Sequence, residues 1–269
     1  MNKLAIRLLA STSRTFMVPI MRAPGRLQSA IGSGYLCMRA IDEIEDHPGM
    51  PASDKDMLLT AIADRLIASE GEPPEDELTD LLRSYRNILP EVSLKLGSLL
   101  HVSPKKVRGL VGRSTGEMAQ AMAGWVRCGW NVMTEEDLDQ YTFDVAGRVG
   151  IMLSEFWLWH ENIDTPRDEA IGFGRALQSV NILRNETEDA RRNVNFYPRG
   201  WQRPDMMAYA RRQLLHANRY MERLPRDSAA YDFCIIPLAL ARATLDALEQ
   251  GKEKLSRTDA LSVISACAG

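Results

Sequence analysis

No two cysteines in this sequence lie close enough together to build anything. Cys37, Cys128, Cys234 and Cys267 are far apart, with no CxxC pair and no Cys/His cluster. That argues against a zinc ribbon and against a disulfide scaffold, and suits reduced thiols in a cytoplasmic protein. Long apolar runs are missing too. The longest, "FCIIPLALA", has nine residues with Pro237 inside it, so the expectation is a chain that meets a membrane only peripherally. The opening "MNKLAIRLLASTS" is broken by Arg7 and is too short for a secretory signal. A charge excess is absent as well. The formal net charge is −3, which disfavours a nucleic-acid partner recruited by overall charge. There is no GxGxxG, no internal repeat and little β-branched alternation.

What is present is helical periodicity. Apolar residues recur at three and four positions across 25–46, 54–69, 104–127, 134–160, 167–190, 204–223 and 228–250. Pro-, Gly- and Asp-rich breaks separate these stretches, and Ser53, Ser103 and Thr165 stand where N-caps are expected. Thr134 with Asp137 has the form of a capping box. No break is long enough to be a linker. The pattern predicts one all-α domain, residues 1–269, of about eight to twelve helices.

Two helices carry oxygen donors in stripes. Tyr35, Arg39, Asp42 and Asp46 share one face of the first, with Glu45 beside them. The face sits in apolar sequence and ends at a Pro-Gly break. Acids there repel one another, lose hydration and oppose the helix dipole, so a positive partner is required. The second stripe, in "LQSVNILRNETEDARRN", holds Gln178, Asn181, Asn185, Glu188 and Asp189. Oxygen donors of this kind suit Mg²⁺ shared with a phosphate. Arg14, Arg39, Arg184, Arg191 or Arg192 would neutralise a diphosphate. The plainer reading of either stripe alone is a solvated helix face.

These stripes and their flanks resemble the squalene/phytoene synthase family. "TSRTF" (12–16) resembles its N-terminal Ser-Arg-x-Phe segment, and "YLCMRAIDEIED" (35–46) its first aspartate-rich motif. "GEMAQAMAGW" (116–125) is similar to its pocket helix, and "DLDQYTFDVAGRVG" (137–150) to its Tyr…Val-Ala-Gly signature. "LQSVNILRNETEDARRNVNFYP" (177–198) resembles the second motif, and "FCIIPLALARATL" (233–245) a late helix. The order is kept from residue 12 to about 257.

The resemblance implies an all-α isoprenoid synthase fold around a central hydrophobic cavity. It also implies Mg²⁺ and head-to-head coupling of two prenyl diphosphates, of farnesyl length in the first instance. The coupling passes through a cyclopropyl diphosphate to a C30 isoprenoid such as squalene or dehydrosqualene, with NADPH used if squalene is the product. Carried over, Asp42, Glu45, Asp46, Asn181, Asn185 and Asp189 would serve the metals. Ser13, Arg14, Phe16, Tyr35, Arg39, Gln178, Arg184 and Arg192 would hold substrate. Tyr141, with Asp42, Asp46 and Asp189, would act in catalysis, the alternative for Tyr141 being a core tyrosine.

The chain departs from the family twice. Asn185 stands where an Asp is usual, so one charge is gone unless Glu186 or Glu188 replaces it. Asp144 stands where squalene synthases often carry a second tyrosine. Asn185 also fits a single-substrate enzyme, a phosphatase or terpene cyclase, using the same metal site. A non-catalytic helical interaction protein is a further alternative. Ala119, Ala121, Ala123, Gly124, Ala239 and Ala241 either open a long pocket or serve close helix packing. "GKEKLSR" (251–257) is either a cofactor contact or a basic surface turn.

Overall fold

The computed structural model describes residues 1–13, 15–69, 72–191 and 194–267. It is all-α: fourteen α-helices and one π-helical turn, with no strand among the described residues. The seven helical stretches expected from periodicity are all present to within about two residues at each end. The extra elements are short. The chain divides into two compact units, Met1–Gly129 and Trp130–Gly269.

The first unit contains α1 (Lys3–Thr12), α2 (Met17–Arg22), α3 (Gly25–Glu45), α4 (Ala52–Ala68), α5 (Glu75–Arg83), α6 (Glu91–Leu94), α7 (Leu96–Leu100) and α8 (Lys105–Arg127). Its core is α3 and α4 packed on α8, with Leu36, Ile41, Leu59, Ile62, Val111 and Met118 buried. Gly116 lets α4 and α8 close up, since a Cβ there would stand 2.9 Å from the Leu66 Cβ. Two buried hydroxyls tie α3 to the short helices. Ser33 donates to the Leu99 carbonyl at 2.7 Å, and Ser93 donates to the Ala40 carbonyl at 2.9 Å.

The cap expectations need correction. α4 and α8 start after Pro51 and Pro104, one on each side of Ser53 and Ser103. The first bond of the helix that follows Thr165 is accepted by the Pro166 carbonyl. Proline fits each boundary because the residue there needs no helical N–H. The Thr134–Asp137 capping box is present as expected, with Asp137 N–H donating to Thr134 Oγ1 at 3.2 Å and Thr134 N–H to Asp137 Oδ2 at 3.0 Å.

The second unit contains α9 (Glu135–Thr142), a π turn (Phe143–Gly147), α10 (Arg148–Glu161), α11 (Arg167–Arg191), α12 (Arg203–Arg223), α13 (Ala229–Glu249) and α14 (Arg257–Ala266). α9, the π turn and α10 follow one another without a break, and α11 packs on them, on α12 and on α13. The contact with α11 has no clearance. A Cβ on Gly150 would come within 2.0 Å of the Ala170 carbonyl oxygen, and one on Gly174 within 2.1 Å of the Ala146 carbonyl oxygen. The "VAGRVG" signature is therefore a backbone-to-backbone helix crossing. Glu161 holds the start of α13 by accepting from Ala229 N–H at 2.9 Å and Ala230 N–H at 3.0 Å.

Candidate active site

In the first unit the expected substrate-side residues come together. Ser13 closes α1, and its hydroxyl accepts from Phe16 N–H at 2.9 Å. That turn brings the Phe16 ring to 5.5 Å from the Tyr35 ring. The Tyr35 hydroxyl donates to the Thr12 carbonyl at 3.3 Å. Burial raises the Tyr35 phenol above its ordinary value, against a downward pull from Ser13 and Arg39. Arg14 lies outside the described residues.

One and two turns further along α3 stand Arg39 and Asp42, followed by Asp46 as the C-cap residue. The Asp46 N–H donates to the Asp42 carbonyl at 2.8 Å. The helix then stops at His47-Pro48-Gly49, as a Pro-Gly break requires. His47 Nδ1 accepts from Gly49 N–H at 3.2 Å, so the ring proton sits on Nε2 and is donated to the Ile88 carbonyl at 3.1 Å.

Arg39 is shared between acids. Its guanidinium donates to Glu43 at 2.5 Å, whereas its approach to Asp42 is 3.9 Å. Its Nε is buried with no hydrogen-bond partner. Burial pulls Arg39 down, but Asp42 and Glu43 together outweigh it and raise the group. Asp42 is the strained member. Burial first, then the Asp46 charge, pushes its carboxyl up to about 7, with Arg39 pulling down and Glu43 pushing further up. The side chain is nonetheless 31% exposed, so protein crowds it while solvent, or a ligand, still reaches it. Glu45 differs. It is 4% exposed, within the unit's core, and the buried Lys55 of α4 donates to its backbone carbonyl at 2.5 Å. That ammonium meets the negative end of α3.

The second unit carries the other stripe on α11. Gln178, Asn181, Asn185 and Asp189 are half-buried, while Arg184, Glu188 and Arg191 are exposed. Asn181 Nδ2 donates to Gln178 Oε1 at 3.4 Å, and Arg184 Nε donates to Asn185 Oδ1 at 3.1 Å. Arg184 is the electrostatic opposite of Asp42. Its surroundings pull the guanidinium down by desolvation, with Glu188 opposing. The residue is exposed all the same, so its guanidinium can reach an anion from solvent. Glu186, one candidate to replace the missing acid at 185, is paired with Arg203. Arg192 lies outside the described residues.

Tyr141 is buried at the end of α9 and stacks on Phe196, ring centroids 4.3 Å apart. Asp144 lies buried in the π turn. Its oxygens accept from Gln140 Nε2 at 3.0 Å and from Arg148 Nε and Nη2 at 3.3 and 3.2 Å. The second departure from the family pattern thus installs a neutralised carboxylate, not a bare one. Lys252 and Lys254 are exposed on the turn before α14, and Arg257 is exposed as its first residue.

Mg²⁺ fits this chemistry. Among the described residues no three His, Cys, Asp or Glu side chains gather into a metal cage. Mg²⁺ needs none, because it keeps waters and is bound through one or two carboxylates plus phosphate oxygens. Asp42, pressed toward neutrality and served at 3.9 Å by a guanidinium committed to Glu43, would be relieved by such a cation. Sequence reasoning missed Glu43, Lys55, Phe196 and Arg203. Only Glu43 had a local signal, its i,i+4 spacing from Arg39.

The profile of the squalene/phytoene synthase family matches residues 9–203. The squalene synthase of Schizosaccharomyces pombe is 30% identical over 90% of this chain and 58% of its own length. That of Mus musculus is 28% identical over 91% of this chain and 63% of its own. The chain thus spans less than two thirds of the length of these relatives. Among solved structures, a complex of TcSQS with the ligand BPH1237 aligns with 98% of this chain and 85% of its own, at TM-score 0.79 and 22% identity. A liganded dehydrosqualene synthase aligns with 98% and 94%, at TM-score 0.68 and 14% identity. These two show the fold alone. With the profile covering most of the residues from the first substrate segment to the end of the second motif, the chain belongs to the squalene/phytoene synthase family.

Proposed function

We propose that residues 1–269 act as one isoprenoid synthase domain, a Mg²⁺-dependent prenyltransferase that couples two molecules of farnesyl diphosphate head to head. The observation that carries this is the Tyr35–Arg39–Asp42–Asp46 stripe on one end of α3, where burial and the Asp46 charge push the Asp42 carboxyl up to about 7 while its side chain still meets solvent. Bound Mg²⁺ would draw charge from the departing diphosphate and so make it a better leaving group. In the first unit Asp42 and Asp46 of α3 would be the metal ligands; in the second unit Asn181, Asn185 and Asp189 of α11 would be. Arg39 and Arg184 take diphosphate oxygens, and Ser13, Phe16 and Gln178 position the substrate. The allylic cation left behind is attacked by the second prenyl chain, and a cyclopropyl diphosphate results. Tyr141, its ring stacked on Phe196, would stabilise the cation through its π face and phenol oxygen. A second ionisation gives a linear C30 product, with hydride from NADPH when that product is squalene.

A second reading is favoured by Asn185, whose carbonyl is already engaged by Arg184. With one acid fewer, the same site would ionise a single diphosphate and release an alcohol or a cyclic C15 product. Incubation with farnesyl diphosphate and Mg²⁺, with and without NADPH, separates the readings in one organic extract. A C30 hydrocarbon or cyclopropyl diphosphate supports coupling. Farnesol or a cyclic sesquiterpene supports the single-substrate reaction, and no turnover removes both.

A further inference from the structure

The second oxygen-bearing stripe carries an amide at Asn185, and the acid next to it, Glu186, is not free to add a charge there. Glu186 is ion-paired with Arg203, the first residue of α12. Arg203 is held there by local geometry: Asp205 accepts from Gln202 N–H at 2.8 Å and starts the helix. A guanidinium at a helix N-terminus faces the positive end of the dipole, so this position disfavours an arginine. A side-chain pair that is more than a third exposed stabilises by at most about 1 kcal/mol. The pair is thus badly placed as a source of stability. It is well placed as a clamp, because it joins the turn of α11 bearing Asn185 and Asp189 to α12, the helix packed along it. Buried Tyr197 flanks it: burial, then the Glu186 charge, raises its phenol while Arg203 lowers it. Beyond α11, Val194 N–H donates to the Asp189 carbonyl at 3.0 Å.

We propose that Glu186 and Arg203 are positioning residues: their ion pair fixes the last turns of α11 so that Asn185 and Asp189 present their oxygens in register, and Glu186 itself binds no metal. This rests on the Mg²⁺–diphosphate reading above. An amide ligand binds Mg²⁺ more weakly than a carboxylate, so a site that has lost a charge depends more on having its remaining oxygens held in place.

The test uses Glu186→Gln, Arg203→Ala, and the reversed pair Glu186→Arg with Arg203→Glu. Two readouts avoid turnover: calorimetric binding of Mg²⁺-pyrophosphate, and hydrogen exchange of amides 187–191. Each single variant is expected to weaken binding about three- to fivefold and to speed exchange by a similar factor, the reversed pair restoring both. In turnover, the Mg²⁺ concentration needed for half-maximal rate should rise by the same factor, with kcat at saturating Mg²⁺ close to wild type. If Glu186→Gln loses far more binding than Arg203→Ala, or reversal fails to restore it, the clamp is wrong and Glu186 is a ligand. If wild-type protein binds Mg²⁺-pyrophosphate and the variants bind it equally, this inference alone falls. If wild-type protein does not bind it, the metal site falls and the clamp's role with it.

Discussion

Replacing Asp42 with Asn should make the metal-free protein more stable at pH 8 and should abolish turnover. The Asp42 carboxyl rises from 3.8 in the unfolded chain to about 7 in the fold. The folded state therefore holds that proton more tightly than the unfolded one. Stability associated with the neutral carboxyl is fully present below about pH 4 and is lost as pH rises to about 7. Three pH units correspond to roughly 4 kcal/mol without screening. Nearly a third of the side chain meets solvent, so about 1–2 kcal/mol is the realistic figure. Asn keeps the shape and stays neutral at every pH. Wild type and Asp42→Asn should then melt together near pH 4. By pH 8 the variant should melt roughly 3–8 °C higher. Adding Mg²⁺ with pyrophosphate should reverse the order, because only wild type gains a counter-charge. Scanning calorimetry at both pH values, with and without Mg²⁺-pyrophosphate, measures all of this. Equal melting at pH 8 without metal, or a more stable wild type, would mean the protein already balances Asp42, and the case for a cation at this stripe would fail.

Three further outcomes are expected. Asn185→Asp should raise the rate of C30 formation from farnesyl diphosphate and lower the Mg²⁺ requirement; an unchanged product profile and rate would show that the lost charge limits nothing. Gly150→Ala forces a Cβ to within 2.0 Å of the Ala170 carbonyl and should destabilise by about 3 kcal/mol or more, read as a lower urea midpoint. Thr134→Ala removes the hydroxyl that accepts from Asp137 N–H and should cost about 1 kcal/mol in the same assay, with kcat unaffected.

The long helices were legible because each holds at least four turns of apolar periodicity, enough to outweigh local exceptions. α5, α6 and α7 have nine, four and five residues, too few turns for apolar periodicity to mark them. Both oxygen-bearing stripes were legible because their donors share a helix and a period. The cations around them were not, since Lys55 reaches the Glu45 backbone carbonyl from the next helix and Arg203 reaches Glu186 across seventeen residues. Long-range pairing leaves no mark on local spacing. "VAGRVG" was visible as a string, but its meaning needed Ala170 and Gly174 opposite it. Asp144 looked like an intrusion until Arg148 and Gln140 were found around it.

The bare crossing at Gly150 and Gly174 has a mechanical side. Side chains are the yielding part of a helix interface, adjusting rotamers to absorb small shifts. Here main chain rests on main chain, with nothing between to yield. α11 and the π turn meet through main chain at Gly174 and Ala146. The amide-bearing stripe and the Tyr141–Asp144 segment therefore share one main-chain joint, and a shift of one is expected to carry the other with it.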